Sequence, residues 1–119
     1  MNNKEFSAQL ENRTKQFAIS VINLSGSVPI TPEAKVIKNQ FTKSGTSIGA
    51  NYREANRSRS KADFANKIKI CESEANETVY WLEIIDELRW TDTERIKMTL
   101  KEAHEILAIF TSVGKSLKL

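Results

Sequence analysis

Apolar residues in this chain recur at spacings of three, four and seven through four successive blocks, and only 4 Gly and 2 Pro interrupt 119 residues. That recurrence is the period of the α-helix, and alternation at the period of a strand is hard to find. The first block runs from about Lys4 to Leu24, with Phe6, Leu10, Phe17, Val21 and Leu24 on one face and Ala18 and Ile22 beside it. It stops at the small, breaking run Ser25-Gly26-Ser27-Val28-Pro29. The second starts with Thr31 as N-cap, Pro32 in the first turn and Glu33 behind it, a combination that pre-sets φ and satisfies a free N–H. Its face passes through Val36, Ile37, Phe41, Ser44, Ile48, Tyr52 and Ala55. The third opens at Ser60-Lys61-Ala62-Asp63, a cap with an acid three residues on. Its stripe holds Phe64, Ile68, Cys71, Ala75, Thr78, Trp81, Leu82, Ile85 and Leu88, and an unbroken helix of that length spans ~40 Å. The fourth begins near Thr91-Asp92 and carries Ile96, Leu100, Ala103, Leu107, Phe110, Val113 and Leu117. Short connections make consecutive helices antiparallel neighbours, so the expected fold is all-α, a single four-helix bundle domain over residues 1–119.

Composition narrows the function classes. Hydrophobic residues make up 39% and charged residues 28%, which suits one soluble core. Cys71 is the only cysteine, so no internal disulfide framework exists and a reducing compartment is expected. The opening MNNKEFSAQLENR carries charge where an apolar signal core would be needed. No apolar run approaches the ~20 residues of a membrane-spanning helix. A cytoplasmic protein without membrane contact is the expectation.

The candidate chemistries fail on their spacing. Gly45-Thr46-Ser47-Ile48-Gly49 lacks the preceding strand and the trailing Gly-Lys-Ser/Thr of a phosphate loop, and Lys43 precedes the glycines. Gly45 and Gly49 instead fall four apart on one helix face, marking either a close approach of a neighbouring helix or a local break. His104 is the only histidine and Lys101, not Glu, stands three residues before it, so a paired Glu-x-x-His metal centre is not formed. Cys71 reads as a small buried hydrophobe. Glu74, Glu77 and Tyr80 have no nucleophile, metal site or cofactor motif near them. The chain reads as non-enzymatic, with no metal and no cofactor. Trp81 and Trp90 read as packing anchors, and Tyr52 as either core or stacking platform.

Charge is distributed unevenly although the net value is only +3. Arg53, Arg57, Arg59, Lys61, Lys67 and Lys69 cluster with Glu54 and Asp63 alone among them; then come Glu72, Glu74, Glu77, Glu83, Asp86 and Glu87 before Arg89. One end of the bundle should be positive and another negative. Arg59 and Lys61 flank a helix N-terminus, where the macrodipole disfavours cations by a few tenths of a kcal/mol. Such placement points to a partner: a phosphate backbone, an acidic protein surface, or the acidic end of a second copy in a head-to-tail ring.

The pattern Ser47-Ile48-x-x-Asn51-x-x-Glu54, then Ser60-x-x-x-Phe64, then Ser73 and Glu77 before Trp81-Leu82, resembles the bacterial 23S rRNA intervening-sequence protein family over nearly the whole chain. Members often carry Gly after the matching glutamate, where this chain has Ala55. The resemblance implies an up-and-down antiparallel bundle that assembles into pentamers. A similar branch serves as the accessory protein of diversity-generating retroelements and binds reverse transcriptase and nucleic acid. Carried onto this sequence, Ser47, Asn51, Glu54, Ser60, Ser73 and Glu77 become a structural signature: hydrogen bonds and caps where helices meet, with Ser47 and Ser73 permitting close packing. Arg53, Arg57, Arg59, Lys61, Lys67 and Lys69 become the candidate contacts to RNA or DNA. The expected function is a homo-oligomeric bundle that binds nucleic acid through backbone charge, or alternatively a scaffold subunit for a partner such as a reverse transcriptase.

Overall fold

The computed structural model describes residues 2–117. Four helices follow in order: α1 (Asn3–Ser25), α2 (Pro32–Ala55), α3 (Lys61–Glu87) and α4 (Thr93–Ser116), with no strand among the described residues. Each helix begins on a side chain that accepts from its first turn: Asn2 from the Glu5 N–H, Thr31 from Ala34, Ser60 from Asp63 and Asp92 from Arg95. A cap of this kind contributes about 1 kcal/mol by satisfying an N–H that has no partner within the helix.

The α3–α4 turn is the one connection closed by a left-handed residue. Arg89 sits at φ 54, the only positive φ outside glycine among the described residues. Its N–H donates to the Asp86 carbonyl at 3.0 Å, and the next N–H, of Trp90, reaches back to Ile85 at 3.2 Å. Those two bonds tie off the helix end and fold Trp90 onto the core.

Consecutive helices pack antiparallel, and α4 closes against α1; the backbones of the diagonal pairs α1/α3 and α2/α4 do not come together. This up-and-down square measures 44 × 26 × 21 Å, its long axis set by the 27 residues of α3. Phe41, Phe110, Leu24, Ile48, Ile68, Leu82, Ile85, Ile96 and Ile106 fill the centre, all sealed from solvent. Tyr52 belongs to this core: it is buried and meets Phe110 edge to face at 5.4 Å.

α2 runs unbroken through its glycines, so the close approach is the reason for them. A Cβ on Gly45 would lie 2.7 and 2.8 Å from the two methyls of Val21, and one on Gly49 would lie 3.0 Å from the Thr14 hydroxyl and 3.3 Å from its backbone. The α1–α2 contact therefore brings one backbone within a side chain's thickness of the other. Across α2–α3, the Ser44 and Thr78 hydroxyls meet at 3.0 Å, both buried, and Thr78 also donates to the Glu74 carbonyl. The α1–α4 seam is closed by charge: Arg13 forks onto Glu102 with two bonds of 2.7 Å and reaches Glu105 at 2.9 Å. The two carboxylates hold that guanidinium charged well beyond its ordinary range, against the pull of partial burial.

The helix faces depart from the predicted stripes in places. Phe6, Val36, Leu88 and Leu117 are exposed, and Leu100 and Leu107 only flank the core. Thr14, Ala34, Thr99 and Ile106 take the inward positions instead. At three of these positions a small or hydroxyl residue (Thr14, Ala34, Thr99) suffices because the helices approach closely; residues at the ends of a helix lie beyond the neighbours that would cover them.

Candidate nucleic-acid interface

Because α2 descends and α3 ascends, the turn between them gathers the predicted cations at one end of the bundle, together with the last turn of α4. The six do not behave alike. Arg53 lies on the α1 side, its Nε 3.7 Å from Glu11, which also accepts from Asn56 at 2.9 Å. Lys67 reaches Glu54 at 3.4 Å across α2–α3. Arg57, just past the end of α2, donates to the Arg53 carbonyl at 3.2 Å and leaves the rest of its guanidinium exposed. Arg59, Lys61 and Lys69 are exposed and form no ion pair among the described residues.

Two concavities open on this end. The larger, about 950 Å³, lies between the α2–α3 turn and the end of α4; Arg59 and Lys61 line its rim, Phe64, Ala65 and Leu117 its apolar floor. The smaller, about 220 Å³, lies between α3 and α4 and is lined by Lys69, Lys115 and Glu72. Both are lined by Ala65 and Leu117, so they are neighbours. Glu72, the one acid there, accepts from the Thr111 hydroxyl at 2.8 Å. The Ser58 hydroxyl, also lining the larger groove, is buried with no hydrogen-bond partner. Lys115 was missed in the sequence because it lies 46 residues beyond Lys69. The antiparallel order of α3 and α4 was the available signal, since it puts the last turn of one beside the first of the other.

The signature residues lie mostly along the outward α2–α3 flank. Asn51 donates to the Ser47 carbonyl at 2.8 Å, and Ser47 to that of Lys43 at 2.6 Å. Ser60 caps α3, and Glu54 pairs with Lys67. Glu77 accepts from the Trp81 indole at 3.1 Å. Ser73 is exposed, so it does not set a helix–helix distance within the bundle. Trp81, expected in the core stripe, is only half-buried on this flank and meets Tyr80 edge to face at 5.0 Å. Burial and the neighbouring Glu77 push the Glu74 carboxyl upward from its usual range, with Ser47 and Lys43 opposing.

The opposite end is not the acidic pole that the order of charges suggested. Asp86 and Glu87 share a cleft with Arg89 and Lys97, because the α3–α4 turn returns cations to their side. That mixture weakens the head-to-tail pairing of a basic with an acidic end. Catalytic and metal chemistry gain no support from the geometry. Cys71 is fully buried against the Ile48 carbonyl at 3.5 Å, and burial pushes its thiol up to about 12. His104 is exposed on α4. No group of three metal-ligating side chains assembles among the described residues, and no described helix is long and apolar enough to cross a membrane.

Residues 7–112 match the profile of the family described as 23S rRNA-intervening sequence protein. Among solved structures, the chain is similar to a Bacteroides thetaiotaomicron protein described as of unknown function and from the S23 ribosomal protein family. That similarity has 37% identity and a TM-score of 0.80, and covers 89% of this chain and 98% of that one. A comparison with curated proteins gives no match. Neither description names an enzymatic activity.

Proposed function

The chain belongs to the 23S rRNA-intervening sequence protein family, and from that premise we propose that it is a non-enzymatic bundle that binds RNA or DNA through backbone charge. One observation carries the reading: Arg57, Arg59, Lys61 and Lys69 stand exposed at one end of the bundle and form no ion pair among the described residues. Cations left unpaired beside a helix N-terminus disfavour the isolated fold slightly and favour a polyanion. Among the described residues no zinc module or aromatic sheet stands ready for reading bases, so contact to the phosphates dominates the reading. With four phosphates engaged, affinity for a single strand should fall about fifty-fold between 50 and 200 mM salt. Fluorescence anisotropy at those two salts tests this. Arg57→Glu with Arg59→Glu should nearly abolish binding, and unchanged affinity in that double variant would remove the basic end from the interface.

A second reading concerns self-association, and a distinct feature supports it. Ile70, Glu74, Glu77, Trp81, Ile84 and Leu88 recur at alternating spacings of four and three along α3, outside the core set Ile68, Cys71, Ala75, Thr78, Val79, Leu82 and Ile85. That is the heptad spacing of helix pairing, carried on a side of α3 that the bundle covers only in part. Ile70 and Leu88 stay 42% and 52% exposed along it. We assign this flank to contact between copies of the chain in a homo-oligomer, with Glu77 of the signature residues within it. Light scattering after size exclusion should show Ile70→Glu with Leu88→Glu converting an oligomer to folded monomers. A wild-type chain that is monomeric at all concentrations would refute the assignment. A partner such as a reverse transcriptase would occupy the same flank in the scaffold alternative.

A further inference from the structure

Building on the backbone-charge reading above, we infer that the groove formed by the two neighbouring concavities at the basic end takes an unpaired stretch of nucleic acid rather than a duplex. Its walls come from three places far apart in sequence: the α2–α3 turn, the first turns of α3 and the end of α4. Arg59, Lys61, Lys69 and Lys115 line it, and the single acid, Glu72, is already engaged by Thr111. Lys115 joins the set only through the fold. The floor differs in kind from the rim: Phe64, Ala65 and Leu117 present apolar surface, with Leu117 38% exposed.

A duplex offers such a groove only half of what it can bind. Its phosphates would meet the cations, but its bases are stacked and paired inside, so the apolar floor would remain wet. An unpaired segment brings both chemistries, since each base has a free face for apolar contact and a free edge for hydrogen bonds. Asn66, exposed in the smaller concavity, supplies donors and an acceptor for such edges. Arg53 and Lys67 fall outside this geometry, because Glu11 and Glu54 already oppose them. Of the six predicted cations, Arg59, Lys61 and Lys69 line the groove, Arg53, Arg57 and Lys67 do not, and Lys115 is added.

The test compares a short oligouridylate, about eight nucleotides long, with a duplex RNA of equal length, both end-labelled, by anisotropy at ~50 mM salt on the full chain. The single strand should bind about tenfold or more tightly than the duplex. Leu117→Asp, which spoils the floor, and Lys69→Glu with Lys115→Glu, which spoils the rim, should each weaken it about tenfold. Arg53→Glu should change it less than about twofold. Leu117 and both lysines are exposed, and circular dichroism checks that each variant is folded. Equal affinity for the two probes, with Leu117→Asp silent and the lysine reversals weakening both, would overturn the groove and leave the backbone-charge reading intact. Absence of binding to either probe would overturn both.

Discussion

Gly45 offers the sharpest test of how this bundle is built, because two opposing effects of one methyl group can be set against each other. In an isolated helix Gly45→Ala would stabilise by about 1 kcal/mol. Here the new Cβ would stand 2.7 and 2.8 Å from the methyls of Val21, against ~3.5–4.0 Å for an ordinary carbon contact. Val21 is fully buried and, being β-branched, has one strongly preferred rotamer in a helix, so it has nowhere to turn. Overpacking of this kind costs about 1–3 kcal/mol. The sum is a net loss near 1 kcal/mol, or about 3–5 °C in Tm for a domain of this size. Val21→Ala alone should cost about 2 kcal/mol from lost burial and the space left behind. Combining them should restore fit, since the methyl introduced at position 45 enters the space Val21 vacates; the double variant should be more stable than additivity predicts by about 2 kcal/mol. Urea denaturation followed by far-UV circular dichroism, run at several protein concentrations so that association does not masquerade as stability, measures all four corners of the cycle. If Gly45→Ala stabilises by about 1 kcal/mol and the pair is additive, the close approach of α1 and α2 is not what the glycine serves.

Three further outcomes follow from particular contacts. Arg13→Ala removes the fork that closes α1 onto α4 and should cost about 1 kcal/mol by denaturant unfolding, a modest figure because the pair is partly exposed; a loss below about 0.3 kcal/mol would mean that the seam closes by packing alone. Arg89→Gly should stabilise by about 0.5–1 kcal/mol, because φ 54 is strained for a side-chain-bearing residue and the gain is offset only partly by glycine's freedom in the unfolded chain. Glu74→Gln should raise stability slightly at neutral pH, by at most about 0.5 kcal/mol. The carboxyl is raised in the folded state, so its charged form opposes folding above that raised value and the penalty fades as pH falls toward the unfolded carboxylate range. The variant's advantage should therefore shrink on acidification, and an advantage that grows would reverse the assigned direction.

The elements were legible from short-range chemistry. Thr31-Pro32-Glu33, Ser60 with Asp63, and Asp92 are caps whose function needs only the residues three positions on, and the core stripes repeat at a period set by the backbone itself. Hence the four helices and their order could be read from the chain, as could the buried roles of Cys71 and Phe41. Local pattern could not decide among residues that share a stripe but differ in what lies opposite. Gly45 was compatible with a break until Val21 was found against it, and Trp81 looked fully buried until the neighbouring helices proved to cover that flank only in part. Val36 and Leu88 were apolar at the right period yet had no neighbour to cover them.

The candidate interface shows the same division. The linear order of charges identified the basic segment, because Arg57, Arg59 and Lys61 crowd one turn. It overstated the acidic pole, since only the return of the chain puts Arg89 and Lys97 beside Asp86 and Glu87. It could not show that Arg53 and Lys67 stand beside Glu11 and Glu54, which are distant from them in the chain. Periodicity, capping and charge order are properties of a segment, and the sequence by itself determines them. Which cations remain unopposed, and that Lys115 stands with Lys69, depends on which helix lies next to which. Coulomb energy and burial act through distance in space, so tertiary packing alone decided those points.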